Sequence, residues 1–227
     1  MKLVIGNKNY SSWSLRPWLL LREAGIAFEE IPVRLFVPGF DAEIRQYSPA
    51  GKVPVLIDGD VRVWDSLAIS EYVAERFPEK QLWPADVAAR AHARAVCAEM
   101  HAGFQHVRNQ LPMNVTAMLP GMGWNTSVQR DVDRIATIWS ELRAQHADKG
   151  PFLFGTFTVT DAFYAPVVAR FATYGIHLPE EAKTYADFIL SLPSMQEWVA
   201  GAREERDFLT DDEPYRTGPD RADAIVL

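Results

Sequence analysis

Short apolar runs separated by polar turns fill the first third of the chain, and longer runs of helical period fill the rest. Leu3-Val4-Ile5 reads as a strand, Leu15 to Ala24 as a helix and Phe28–Val33 as a second strand. Val53–Ile57 and Val61–Trp64 flank Asp58-Gly59-Asp60, which predicts an antiparallel hairpin closed by a tight turn. A helix follows from Ser66 to Phe77, so the order is β-α-β-(α)-β-β-α. Phe36–Tyr47, with Pro38-Gly39 inside it, reads as a loop holding at most one short helix.

Pro78 and Pro84 interrupt the pattern and place a linker at about 78–86. Beyond it the period is helical. Val87, Ala91, Ala95, Ala98 and Ala102 recur at steps of three and four and predict the packed face of one helix; Val128, Val132, Ile135, Trp139 and Leu142 predict that of another. Further helices are expected near 159–173, 180–191 and 194–205, and the polar end from Asp211 to Asp223 reads as extended or mobile. The first part is thus an α/β unit and residues 87–227 an all-helical bundle.

Apolar residues at 48% and charged residues at 23% fit an ordinary folded protein, and 227 residues suffice for a core without disulfides. With 23 basic and 30 acidic residues the net charge is −7, which disfavours nucleic acid and anionic membrane as partners. The apolar run at the N-terminus is too short for a signal-peptide core, and no run of about 18 apolar residues occurs elsewhere, so a cytoplasmic location is expected. Cys97, alone of its kind, reads as a small buried hydrophobe.

Three segments carry candidate chemistry. In Tyr10-Ser11-Ser12-Trp13-Ser14-Leu15-Arg16, between the first strand and first helix, hydroxyls and unpaired helix N–H groups can stabilise a thiolate; serines there also simply cap helices, and Arg16 also reads as a surface or ion-pair residue. In Ser48-Pro49-Ala50-Gly51-Lys52-Val53-Pro54-Val55, a proline opens a strand: if cis, it leaves the Val53 backbone free to pair with an extended peptide, and otherwise it merely starts an edge strand. In Val63-Trp64-Asp65-Ser66-Leu67, Ser66 caps the helix or catches a ligand carboxylate, and Asp65 suits an ammonium group.

Together these segments resemble the glutathione site of the glutathione transferase family, and the likeness spans the chain. The resemblance implies a thioredoxin-like glutathione-binding domain over 1–77 and a helical C-terminal domain over 87–227. It implies that Val53 pairs with the cysteinyl backbone of glutathione, that Pro54 is cis, that Asp65 and Ser66 hold the γ-glutamyl end, and that Lys52 meets the glycyl carboxylate. Ser11-Ser12-Trp13-Ser14-Leu15-Arg16 is similar to the Ser-Ser-Cys-Ser-x-Arg motif of the zeta class, whose first serine activates the thiol; Ser11 takes that role here, with Ser12 and Ser14 as alternatives. Trp13 stands in place of the zeta cysteine and borders the substrate, a departure that counts against the class's isomerase activity on maleylacetoacetate while leaving isomerisation open.

Thr158-Val159-Thr160-Asp161 before an apolar helix is a capping box, structural in role. Glu99 to Asn114 resembles a stretch of a bacterial subgroup of the family, in which Phe104, Arg108 and Met113 line the electrophile pocket or else belong to the bundle core and surface. His101 and His106 lack metal-ligand spacing, and no metal is expected. The implied function is attack of the glutathione thiol on a small electrophile, by conjugation or isomerisation, with detoxification as its setting; the alternative is a non-catalytic interaction module of the same fold. A homodimer is implied, with Phe36-Val37-Pro38-Gly39-Phe40 either a contact loop or packed on its own domain.

Overall fold

The computed structural model describes residues 1–220, 223 and 225–227. Four strands, β1 (Lys2–Ile5), β2 (Glu29–Pro32), β3 (Val55–Asp58) and β4 (Val61–Trp64), form one sheet in the order β2-β1-β3-β4. β1 runs parallel to β2, with Val4 opposite Ile31, and antiparallel to β3, with Leu3 opposite Leu56. The β3–β4 hairpin turns at Gly59, whose φ of 59° falls where a side chain is disfavoured. Helices α1 (Ser12–Glu23) and α3 (Ser66–Arg76) belong to the same unit, and α2 (Phe40–Ile44) is the one short helix of the 36–47 loop. This is the mixed sheet of a thioredoxin-like domain.

The second part contains α4 (Val87–Ala102), α5 (Gln105–Gln110), α6 (Thr126–His146), α7 (Val159–Tyr174), α8 (Glu180–Ser191) and α9 (Pro193–Glu204). α7 is apolar almost all round, so it is buried: it packs on α1 of the sheet unit and on α4 and α8 of its own. Its start is fixed by the expected capping box. The Asp161 carboxylate, wholly buried, accepts from the N–H groups of Leu153 and Thr158, the Thr158 hydroxyl and the Tyr185 hydroxyl. The α6 stripe from Val128 to Leu142 is buried as its period demands.

The α4 stripe is not. Val87 is 71% exposed, Ala91, Ala95, Ala98 and Ala102 face solvent, and the packed face is Ala93, Val96, Cys97 and Met100. Alanine is a strong helix former that loses little in water, so the larger Val96 and Met100 decide which face turns inward. Cys97 is buried as expected, and burial pushes its thiol up to about 12.

The end of the chain is also more ordered than its composition implies. Two short strands, β5 (Asp207–Phe208) and β6 (Ile225–Val226), pair in parallel, so the second part is not helical throughout. Asp207 takes a bidentate contact from Arg34 and a bond from Asn7; Glu213, 3% exposed, accepts from the Tyr10 hydroxyl at 2.8 Å; the Tyr215 hydroxyl reaches Gln110. The expectation for Arg221 and Ala222 lies outside the described residues.

Candidate functional site

The chain leaves β1 and turns into α1 through two N–H bonds, from Tyr10 and Ser11, to the Asn7 carbonyl. Ser11 holds the N-cap position, yet its side chain caps nothing. Its Oγ lies 2.7 Å from Ser14 Oγ, which in turn accepts the Gly6 N–H at 3.0 Å. Ser12 Oγ accepts from Arg170 Nη2 at 3.2 Å. Ser11 and Ser12 line a cleft of about 600 Å³ between the two parts, whereas Ser14 is wholly buried behind Ser11 and does not.

The Val53–Pro54 peptide is cis, and among the described residues the Val53 N–H and C=O form no backbone hydrogen bond. Val53 and Lys52 line the cleft, while Pro54 is buried behind them. At the start of α3 it is Asp65, rather than Ser66, that caps: its Oδ1 accepts from the Leu67 and Ala68 N–H groups. Asp65 adopts φ 75°, a region that non-glycine residues enter only when held there. Its Oδ2 lies 3.3 Å from His101 Nε2, which α4 brings across from the second part. Ser66 is buried, and its Oγ accepts from Arg16 Nη1 at 3.3 Å.

Arg16 is therefore not at the surface. It is 1% exposed, with its guanidinium 4.3 Å from the Trp13 ring and 4.6 Å from that of Phe163, and among the described residues its Nε has no hydrogen-bond partner. Burial, with Arg108 and Arg170 nearby, pulls it down to about 9. Arg108 donates through Nε to the Gly103 carbonyl and through Nη2 to those of Met100 and His101, closing the end of α4, and lies 4.8 Å from Trp13. Arg170, on α7, donates to the Leu111 and Pro166 carbonyls and to Ser12; burial and Arg108 lower it to about 10. Among the described residues, no carboxylate lies within ion-pair distance of these three arginines.

Of the residues read from sequence as second-substrate contacts, Trp13, Arg108 and Met113 line the cleft. Phe104 does not: it takes a left-handed φ of 55° ahead of α5 and packs into the core. The cleft also receives Phe36 of the loop before α2 and Phe40 at the first position of α2, and His101, Arg170 and Asp212, which no local pattern marks. A buried arginine on an apolar helix is the only signal Arg170 leaves in the sequence. Among the described residues no group of His, Cys, Asp and Glu is arranged to hold a metal ion, and no helix is long and apolar enough to cross a membrane.

This arrangement offers a hydroxyl at a strand-to-helix turn, an unpaired backbone edge beside a cis-proline and a cluster of arginines that form no ion pair among the described residues, which together suit a peptide thiolate. Residues 10–76 match the model of the glutathione S-transferase N-terminal domain, and residues 125–201 that of the C-terminal domain. The chain is 36% identical to Glutathione S-transferase Z1 of Arabidopsis thaliana over 107 residues, 45% of this chain; the match spans about half of that relative, 48% of its length. It is 28% identical to Glutathione S-transferase 1 of Dianthus caryophyllus over 183 residues, 79% of this chain and 82% of the relative. A crystal structure of a glutathione transferase homolog from Burkholderia with bound glutathione has the same fold, at a TM-score of 0.68 and 23% identity, over 89% of this chain and 98% of that one. The two matched domains, in this order and on this fold, place the chain in the glutathione S-transferase family.

Proposed function

We propose that the protein is an enzyme that binds glutathione in this cleft and stabilises its thiolate for attack on an electrophilic small molecule. The observation that carries the reading is the Ser11–Ser14 pair. Because Ser14 Oγ already accepts the Gly6 N–H, its own hydrogen is free to donate to Ser11 Oγ. Ser11 then keeps its hydrogen for the cleft, where it donates to sulfur. A thiol of pKa about 8.5 is thereby drawn toward neutrality, aided by the start of α1 and the nearby arginines. Ser11 acts on the thiolate as a donor and is never the nucleophile.

Val53 pairs through its free N–H and C=O with the cysteinyl backbone. Ser66, polarised by Arg16, takes the γ-glutamyl carboxylate, and Asp65 takes the ammonium group while bonded to His101. Lys52 meets the glycyl carboxylate. In a conjugation the sulfur forms a bond to the electrophilic carbon as the leaving group departs with its electron pair, and the thiol proton passes to solvent; in an isomerisation the sulfur adds, the adduct rotates and the sulfur leaves. The same reading carries a cytoplasmic homodimer, which light scattering on the purified chain tests.

Retention on immobilised glutathione is the deciding measurement. Elution by free glutathione at millimolar concentration is the expected result. Passage straight through the column would overturn the enzyme reading and leave a module that keeps the fold for contacts with other proteins.

A further inference from the structure

The turn that carries Ser11 out of β1 is fastened from the far end of the chain. The Lys8 and Asn9 N–H groups both donate to the Glu205 carboxylate, at 2.6 and 3.1 Å. The Lys8 carbonyl accepts from Trp198 Nε1 at 2.8 Å, and the Asn9 carbonyl and side-chain oxygen accept from the N–H groups of Val115 and Thr116. Among the described residues, the sheet unit itself supplies no hydrogen bond to the backbone of Lys8 or Asn9. Asn7 Nδ2 donates to Asp207 at 2.9 Å, and the Tyr10 hydroxyl donates to Glu213 Oε1 at 2.8 Å, with the Asp207 carbonyl a longer alternative at 3.2 Å. All of residues 7–10 therefore meet the stretch 205–213.

The last of these links is built to hold its direction. Glu213 is 3% exposed and also pairs with Arg216 at 3.3 Å, which in turn meets Asp220 at 2.6 Å. Burial and Glu213 push the Tyr10 hydroxyl up, so it stays a donor. A buried carboxylate between a guanidinium and a phenol tolerates little movement, because a displaced donor leaves it unsatisfied. Ser11, by contrast, does little to fix itself, since its side chain caps nothing at the start of α1. Its place follows from Ser14 behind it and from the turn before it. Asp212, next to Glu213, lines the cleft, so the same stretch reaches both the turn and the ligand space.

We propose that Glu213, acting through the Tyr10 hydroxyl, is a positioning residue for Ser11: the stretch 205–213 seats the turn of residues 7–10 so that the Ser11 hydroxyl meets the glutathione sulfur. This rests on the glutathione reading above. In this role the Tyr10 hydroxyl is committed to Glu213 and does not touch the sulfur. The sign of the effect separates positioning from charge. Deleting a nearby negative charge favours a thiolate and lowers the thiol pKa, whereas a Ser11 hydroxyl drawn off the sulfur raises it.

Ultraviolet titration of bound glutathione in the full chain reads that sign. Isothermal titration with S-methylglutathione, which keeps the peptide contacts and has no ionisable thiol, reads the rest of the site. Glu213→Ala and Tyr10→Phe are each expected to raise the thiol pKa by about 0.5–1 unit, a threefold to tenfold change in the ionisation constant, and to bind S-methylglutathione as the parent does. Glu213→Gln keeps an acceptor oxygen for Tyr10 and is expected to titrate like the parent. The double variant Tyr10→Phe/Glu213→Ala is expected to shift no further than either single one, since both break one link. Parent-like titration of Tyr10→Phe and Glu213→Ala overturns the proposal, as does a lowered pKa in Glu213→Ala, an additive shift in the double variant, or S-methylglutathione affinity lost in step with the pKa. If Glu213→Ala does not fold, Tyr10→Phe, which removes only the hydroxyl, carries the same test. If the parent does not bind glutathione, it is the reading of the site that fails.

Discussion

Ser14 Oγ stands 2.7 Å from Ser11 Oγ while it accepts the Gly6 N–H, so one buried hydroxyl ties the end of β1 to the residue that faces the cleft. In the proposed reading Ser14, which already accepts the Gly6 N–H, donates to Ser11, and the Ser11 hydrogen points to the cleft.

The first prediction follows from that direction. Ser11→Ala removes a hydrogen bond to a charged sulfur, about 1.5–3 kcal/mol, which raises the pKa of bound glutathione by roughly 1–2 units. Ser14→Ala is expected to raise it less and to lower stability by about 1–3 kcal/mol, since the buried Gly6 N–H loses its acceptor. Ultraviolet absorbance of the thiolate against pH, with thermal unfolding beside it, reads both. A Ser11→Ala protein that titrates like its parent, with Ser12→Ala shifted instead, would reassign the role to Ser12.

A second concerns the capping box. Asp161→Ala strips the acceptor from the N–H groups of Leu153 and Thr158 and from two hydroxyls, all buried. The expected loss is about 3 kcal/mol or more, roughly 6–12 °C in Tm for a chain of this size, with glutathione affinity retained by the folded fraction. Calorimetry showing a shift below about 2 °C would contradict the box as the nucleus of α7.

The pH dependence of anion binding is set at Asp212, which burial raises to about 6 against the pull of Arg170, with Asp211 and Glu213 adding to the rise. Below that pH its carboxyl is neutral and the cleft more positive; above it the carboxylate competes with a ligand anion. His101 is held below the usual imidazole range by burial, against the pull of Asp65. Affinity for S-methylglutathione, a net anion, is therefore expected to rise as pH falls through about 6, and Asp212→Asn to flatten the profile at the tighter value. A profile unchanged by Asp212→Asn would remove Asp212 from the cleft electrostatics.

Cys97 gives a fourth. Its thiol is buried at Thr160 and pushed up to about 12, so it offers no thiolate at neutral pH. A disulfide reagent is expected to label it only at the rate of opening of the structure and fully in denaturant. Rapid labelling of the folded protein would show that α4 and α7 part readily.

Local pattern determined much of this protein. The order of strands and helices, the turn at Gly59, the stripe of α6, the box at Thr158 and Asp161, and the serines at a strand-to-helix turn all follow from neighbours within four residues or so. What lies outside that range was decided only by tertiary packing. α4 turned its larger side chains, not its alanine stripe, to the core, because burial scales with apolar area. Ser12 and Arg170 meet across 158 residues of sequence, and Arg16 is buried because Trp13 and Phe163 close over it. Ser11 was legible as a candidate from its position, but its pairing with Ser14 and the tie from Ser14 to Gly6 were not: they depend on a Gly6 N–H eight residues from Ser14, placed there by the turn out of β1.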